Sequence, residues 1–434
     1  MTPSGPGTGQ ASLPARRYPA GLRIIRRLSG GPAVAPDVKS SRDIRTWLLS
    51  REAILQDDLA PLFEQLCWSF VAAGIPIDRF SIHMGTLHPQ LYGFTWNWYR
   101  LDGLCDEVQV PAFILETDSY RRSPLFRVLE YGEVFHRQTT DPEAVKDYPF
   151  LGELVESGIV DYMAVPLGGA DRYHNAATIA STALFTHEAI AEIRELLDLF
   201  ALHVERHIAI RIARNVLDAY LGKAAGARVL DGTIERGSGE SIKAVIWVSD
   251  LRGFTALNDR LTSPQMLGVL NTYFERMVGA IIKHSGEVLK FIGDGLLAVF
   301  PADENGSTAL ATRHALAAAR EALAAIDRLN SDPPPLLQEI PDLPPLRAGI
   351  ALHIGEVFFG NVGAPERLDF TVIGRAVNET SRLEGLTKTL DRPLLMTAGV
   401  AADADMPVVD HGLHRLRGVS SELHVFSTAP QDAA

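Results

Sequence analysis

The period of the apolar positions changes along the chain, and those changes divide it. Between residues 43 and 75, Ile54, Leu59, Leu62, Phe63, Leu66, Trp68 and Phe70 recur near a spacing of 3.6, which predicts helix. Two strand-like runs follow, Arg79–Leu87 and Gln90–Arg100, with His88 and Pro89 at the turn; Trp96, Trp98 and Tyr99 suit extended backbone. Val108–Leu115, Val134–Arg137, Tyr162–Leu167 and Thr178–Leu184 read as further strands, and Leu151–Ser157 as a helix. This order predicts a six-stranded α+β domain over 41–190. From His187 to Leu221 the pattern is helical throughout, with Ile193, Leu197, Phe200, Val204, Ile208 and Ile212 in one stripe. A straight helix of that extent is about 50 Å long, and the stripe requires a partner surface, here expected to be a second copy in a parallel stalk. His203 and His207 read as an exposed pair on that stalk rather than a metal site, because no acid or cysteine accompanies them.

Patterning weakens on either side. Residues 1–40 are rich in Gly, Pro, Ser and Ala and read as a disordered, solvated tail, locally basic through Arg16, Arg17, Arg23, Arg26 and Arg27, with a weak membrane-surface or intramolecular contact as the alternative. Residues 187–240 combine the long helix with a hinge broken by Gly222, Gly226, Gly232, Gly237 and Gly239. Beyond it, 241–428 reads as a second, α/β domain. Lys243–Ser249 is a β-branched run ending at Asp250. Gly253, Phe254 and Thr255 then open a helix with Leu257, Leu261, Leu267 and Leu270 on its apolar face. Val288–Phe291 and Leu296–Phe300 flank Ile-Gly-Asp294-Gly, a hairpin with Asp294 in its turn. Leu368–Ile373 is a strand, Gly374 a turn, and a helix from about Ala376 places Asn378 and Arg382 one turn apart. Gly306–Pro345 adds an Ala-rich helix and a proline-rich segment, read as a dimerisation arm.

Bulk properties narrow the function classes. A net charge of −12 opposes non-specific binding to nucleic acid or anionic lipid. The two cysteines, Cys67 and Cys105, exclude a disulfide framework and fit a reducing cytoplasm. No apolar stretch is long enough for a membrane span. There is no Gly-x-x-x-x-Gly-Lys phosphate loop: Gly222-Lys223 is followed by Ala.

The chemistry concentrates in the second domain. Asp250, at a strand end beside a helix N-terminus, suits a metal–triphosphate, with the amides of Gly253, Phe254 and Thr255 facing phosphate oxygens; alone, the segment favours a plain helix cap. Asp294 supplies a second carboxylate from a neighbouring strand end. Together with Lys290 and the Thr371–Asn378–Arg382 segment, these residues resemble the motifs of class III adenylate and guanylate cyclases. The resemblance covers about 241–428. It implies a ferredoxin-like catalytic domain, preceded here by a sensor of the GAF type, which resembles that family only in element order.

The same resemblance implies the roles. Asp250, Asp294 and the adjoining Leu251 would form the metal set for two Mg²⁺ or Mn²⁺ ions per site. Lys290 and Thr371 would read the purine, Asn378 would orient the ribose, and Arg382 would stabilise charge on the α-phosphate. Arg417, with Arg415 as rival, would be a further phosphate cation. Arg252 and Phe291 read as scaffolding. Guanylate cyclases usually carry Glu at the Lys290 position and Cys or Ser at the Thr371 position, so ATP is the expected substrate and GTP the alternative. A catalytically silent nucleotide-binding module is the alternative outside enzymes. The family builds each site from two chains, so a head-to-tail homodimer is implied. For the first domain a sensor for a small-molecule effector competes with a plain dimerisation domain; Trp68, Trp96 and Trp98 are candidate pocket residues, although aromatic residues in a small α+β domain are more often core. Arg375 and Glu379 depart from the family pattern, which normally has an acid and an apolar residue there.

Overall fold

A computed structural model describes residues 16, 18–88, 91–168, 175–419 and 422–429. The chain forms two compact units that divide after Val216.

The first unit is a seven-stranded antiparallel sheet, one strand more than expected. Its order is Arg23–Leu28, Cys105–Pro111, Leu91–Tyr99, Arg79–Gly85, Ala176–Ser181, Asp161–Pro166 and Phe135–Gln138. The additional strand, Arg23–Leu28, lies within the segment expected to be a disordered tail. It is held by charge rather than burial. Asp106, fully buried, accepts from Arg27 Nε at 2.5 Å and Nη2 at 3.0 Å, from Tyr18 Oη at 2.9 Å and from Arg16 Nη1 at 3.2 Å. Arg16 also pairs with Asp102, and Arg26 with Asp58. Composition favoured a solvated tail, but the acceptors lie 32 residues away for Arg26, 79 for Arg27 and 90 for Arg16, beyond the reach of any local pattern. Arg17 lies outside the described residues.

One face of this sheet is large and apolar. Phe80, Ile82, Trp96 and Trp98 pack against the helix Leu59–Ala72 and the start of the helix His187–Leu221 in one buried cluster. Trp68 belongs to the same cluster, so of the two readings for the three tryptophans, pocket or core, the structure shows core. The region 43–75 is three helices, Ser41–Leu48, Arg51–Leu55 and Leu59–Ala72, because Ser50 and Asp58 cap new starts. Ile54 consequently falls outside the buried stripe and is exposed. The long helix is buried from Ile193 to His207. Its histidines are not an exposed stalk pair: His203 Nε2 meets Leu48 O at 2.8 Å, and His207 bonds the carbonyls of His203 at 2.7 Å and Gln56 at 3.0 Å. Satisfied by backbone, they are core histidines.

The second unit runs strand, helices, two strands, helix, strand, then appends more. Its eight-stranded sheet is ordered Val408–His414, Leu423–Thr428, Leu394–Thr397, Ala348–Ala364, Gly239–Leu251, Gly295–Pro301 and Glu287–Ile292, with Arg367–Ile373 also paired to Ala348–Ala364. All pairings are antiparallel except that of Ala348–Ala364 with Leu394–Thr397. The helices Ser263–Lys283 and Ala309–Ser331 cover one face through Met266, Tyr273, Ala315 and Ala319. The expected single helix after Asp250 is two, Phe254–Arg260 and Ser263–Lys283, broken where Thr262 and Gln265 form a capping box. Gly226, expected to break structure, lies inside a helix, Lys223–Leu230. The segment expected as a dimerisation arm folds back instead: Leu337 and Ile340 are buried in this unit's own core.

Candidate active site

Asp250 is placed by the register of three strands. In Gly239–Leu251 it pairs with Gly295 on one side and Gly349 on the other. Both neighbours have reason to be glycine. A Cβ on Gly295 would meet Ser249 O at 2.6 Å, and one on Gly349 would meet Arg252 Nη2 at 2.1 Å. Asp294 stands next to it because the hairpin Glu287–Ile292/Gly295–Pro301 closes through a two-residue turn. Gly293 there takes φ +63°, a conformation that favours glycine. The backbones are joined by Leu251 N donating to Asp294 O at 3.3 Å.

The two carboxyls meet side chain to side chain. Burial, then contact with Asp250 and its charge, pushes Asp294 up to about 6. Burial and the Asp250 charge also raise Glu384. A cation already answers this excess of acid: Lys388 Nζ donates to Asp250 Oδ2 at 2.9 Å. Arg252 pairs with Glu384 at 3.5 Å behind it. Lys388 and Glu384 were not expected from sequence. Glu384 shares a helix face with Lys388, one turn away, but nothing in that spacing points to an acid so far along the chain.

Two adjoining carboxylates repel each other and suit a divalent cation, which removes the repulsion. The donor set here is Asp250 and Asp294, with Leu251 able to offer its backbone carbonyl only, since its hydrocarbon side chain carries no donor atom. Among the described residues no group of three or more His, Cys, Asp or Glu side chains is placed to hold a metal ion, so a metal would draw remaining ligands from nucleotide or water. The amides of Gly253, Phe254 and Thr255 precede the first helical bond, Leu257 N to Gly253 O at 3.0 Å, and lack an intrahelical acceptor. A cavity of about 620 Å³ shares Arg252, Gly253 and Lys388 with this region but neither aspartate.

The remaining expected residues lie elsewhere in the unit. Lys290 donates to Asp369 Oδ2 at 2.8 Å. Asp369 precedes Thr371 by two on one strand and so shares its face. Thr371 is 3% exposed, and its hydroxyl has no partner among the described residues. Asn378 and Arg382 are exposed on the helix Arg375–Thr389. At 100° per residue, Arg382 and Lys388 stand about 120° apart around that helix. The face that meets Asp250 is therefore not the one that carries Arg382, while Asn378, about 80° from Lys388, lies between the two. Arg417 is exposed in the turn after Val408–His414, as is Arg415 beside it.

The departures Arg375 and Glu379 account for each other. Arg375 Nε donates to Glu379 Oε1 at 2.7 Å, and Glu379 Oε2 lies 3.2 Å from His353 Nε2. A buried acid at a usually apolar position is thus paired on both oxygens.

The family model for the adenylate and guanylate cyclase catalytic domain matches residues 239–393. This part of the chain is a class III cyclase catalytic domain. An adenylate cyclase of Anabaena cylindrica is 35% identical over 174 residues, covering 40% of this chain and 33% of that protein. Adenylate cyclase 1 of Rhizobium meliloti (strain 1021) is 27% identical over 240 residues, covering 55% and 33%. A crystallised guanylyl cyclase is 29% identical, with a TM-score of 0.39, over 45% of this chain and 95% of that one. The chain thus spans about a third of the length of these curated relatives. Among the described residues, no helix is long and apolar enough to cross a membrane.

Proposed function

We propose that the chain converts ATP to 3′,5′-cyclic AMP and pyrophosphate, and that two chains pair head to tail to complete each site. The carrying observation is the adjoining Asp250 and Asp294 carboxyls, with Arg382 exposed about 120° around its helix from the Lys388 that meets Asp250. Mg²⁺ or Mn²⁺ held by these acids would activate the ribose 3′-hydroxyl and neutralise the leaving pyrophosphate. Asn378 positions the ribose of the nucleotide bound by the other chain. Arg382 offers a planar guanidinium to the α-phosphate as its charge develops. Lys290 and the unpartnered Thr371 hydroxyl read the adenine edge as donor and acceptor. Asp369 holds Lys290 ready in the free chain. Phe291, Ile292 and Ile373, on the strands bearing Lys290 and Thr371, are all about half exposed, an apolar surface that suits a partner. The first unit is regulatory in this reading.

Complementation tests the proposal. Asp250→Ala and Arg382→Ala chains, each inactive alone, regain cyclase activity on mixing. Random pairing leaves one intact site in half the dimers, so recovery approaches about a quarter of wild type. Mixed dimers without activity would sink the shared site. Faster turnover of GTP than ATP would overturn the substrate assignment.

A further inference from the structure

The sheet of the first unit has a second face, and it is built small and polar. Across Leu91–Tyr99, Arg79–Gly85 and Ala176–Ser181 the register aligns Asn97 with Ser81 and Thr178, and Thr95 with His83 and Ala176. Small side chains cannot fill the space up to the helices Asp118–Arg121, Pro124–Tyr131 and Pro149–Glu156. A cavity of about 550 Å³ remains, within the size range of small-molecule sites. Its apolar walls include Tyr99, Val110, Ile114, Leu125, Leu129 and Phe150.

Three polar side chains in this wall lack a protein partner. Thr95 is 6% exposed and its hydroxyl accepts and donates nothing among the described residues. His83 has no hydrogen bond there either, and burial, then the Arg79 charge, lowers it to about 3, so it is a neutral donor–acceptor. Arg79 has no ion pair among the described residues; its guanidinium lies over the Tyr99 ring at 4.9 Å and the Phe150 ring at 5.2 Å. By contrast the tyrosines nearby are engaged, Tyr18 with Asp106 and Tyr120 with Glu130. The acids in the lining, Asp118 and Glu153, are exposed.

An unpaired planar cation between aromatic rings selects a planar anion that can accept two parallel bonds. One cation balances one charge; a dianion would bury an uncompensated one. We propose that this cavity binds an aromatic carboxylate, its carboxylate on Arg79 and a ring hydroxyl reaching Thr95 or His83.

Calorimetric titration of the full chain with 4-hydroxycinnamate and 4-hydroxybenzoate, each against its amide, tests this. One acid binds per chain, about tenfold more tightly than its amide, the difference a charged hydrogen bond supplies. Arg79→Gln erases the preference for acid over amide, and Leu125→Trp, which fills the cavity, abolishes binding of both. The proposal is overturned if neither acid binds at millimolar concentration, as expected of a cavity that holds water alone. Equal affinity of acid and amide, or unchanged binding in Leu125→Trp, also overturns it. Should Arg79→Gln not fold, by circular dichroism, the acid–amide comparison in the wild type and Leu125→Trp decide.

Discussion

Asp106→Asn isolates what holds the N-terminal strand to the first unit. Asp106 is fully buried and receives four donors from Arg16, Tyr18 and Arg27. An amide cannot balance two guanidinium groups, and removing one member of a buried ion pair costs about 3–5 kcal/mol. Arg27 is 44% exposed and recovers solvation, and Arg16 keeps Asp102. The lower end, about 3 kcal/mol, is therefore expected. For a unit of this size that corresponds to a fall in Tm of about 6–12 °C. Scanning calorimetry of the full chain reads it, and hydrogen exchange at 23–28 should rise at the same time. Arg26→Ala is the matched control. Its pair with Asp58 is about 40% exposed on both sides, so it costs under about 1 kcal/mol. The reasoning is refuted if Asp106→Asn shifts Tm no more than Arg26→Ala, or if exchange in the strand is unchanged.

Further outcomes follow from single positions. His83 is held neutral when folded, about 3 against 6.5 unfolded, so the unfolded chain binds the extra proton between those values. Stability of the first unit is full above pH 6.5 and falls on acidification by up to about 1.4 kcal/mol per pH unit; His83→Gln should flatten that slope in urea titrations. A Cβ on Gly355 would meet Ala376 Cβ at 2.2 Å, wedging the helix that bears Asn378 and Arg382 off its strand. Gly355→Val should cost about 1–3 kcal/mol or more by overpacking. Gly279, mid-helix with open space around it, is the contrasting site. Gly279→Ala should stabilise by about 0.4–1 kcal/mol, and a loss of stability there would count against the placement of that helix.

The candidate site was legible because its expected residues sit at fixed positions in short elements. Asp294 in a two-residue turn, Lys290 on the strand before it, and Asn378 one turn ahead of Arg382 all follow from local periodicity. The Asp250 strand was read correctly, but its neighbours were not. Lys388, which touches Asp250, is 138 positions away, and only the packing of helix on sheet sets that contact. The same limit explains the first unit. Alternation located its inner strands, yet could not say which face would be filled. Bulky residues on one face made the core and took the tryptophans with them. Small and polar residues on the other left the cavity, since volume is decided by what the covering helices reach.

Sequence alone thus determined the element types, the cyclase motifs and the residues to watch, because these depend on neighbours within a turn or a hairpin. Tertiary structure alone decided the fate of the basic tail, the burial of His203 and His207, and the compensation of Glu379 by Arg375 and His353. Charged and polar groups choose partners by distance in space, and burial makes an unpaired one costly wherever it lies in the chain.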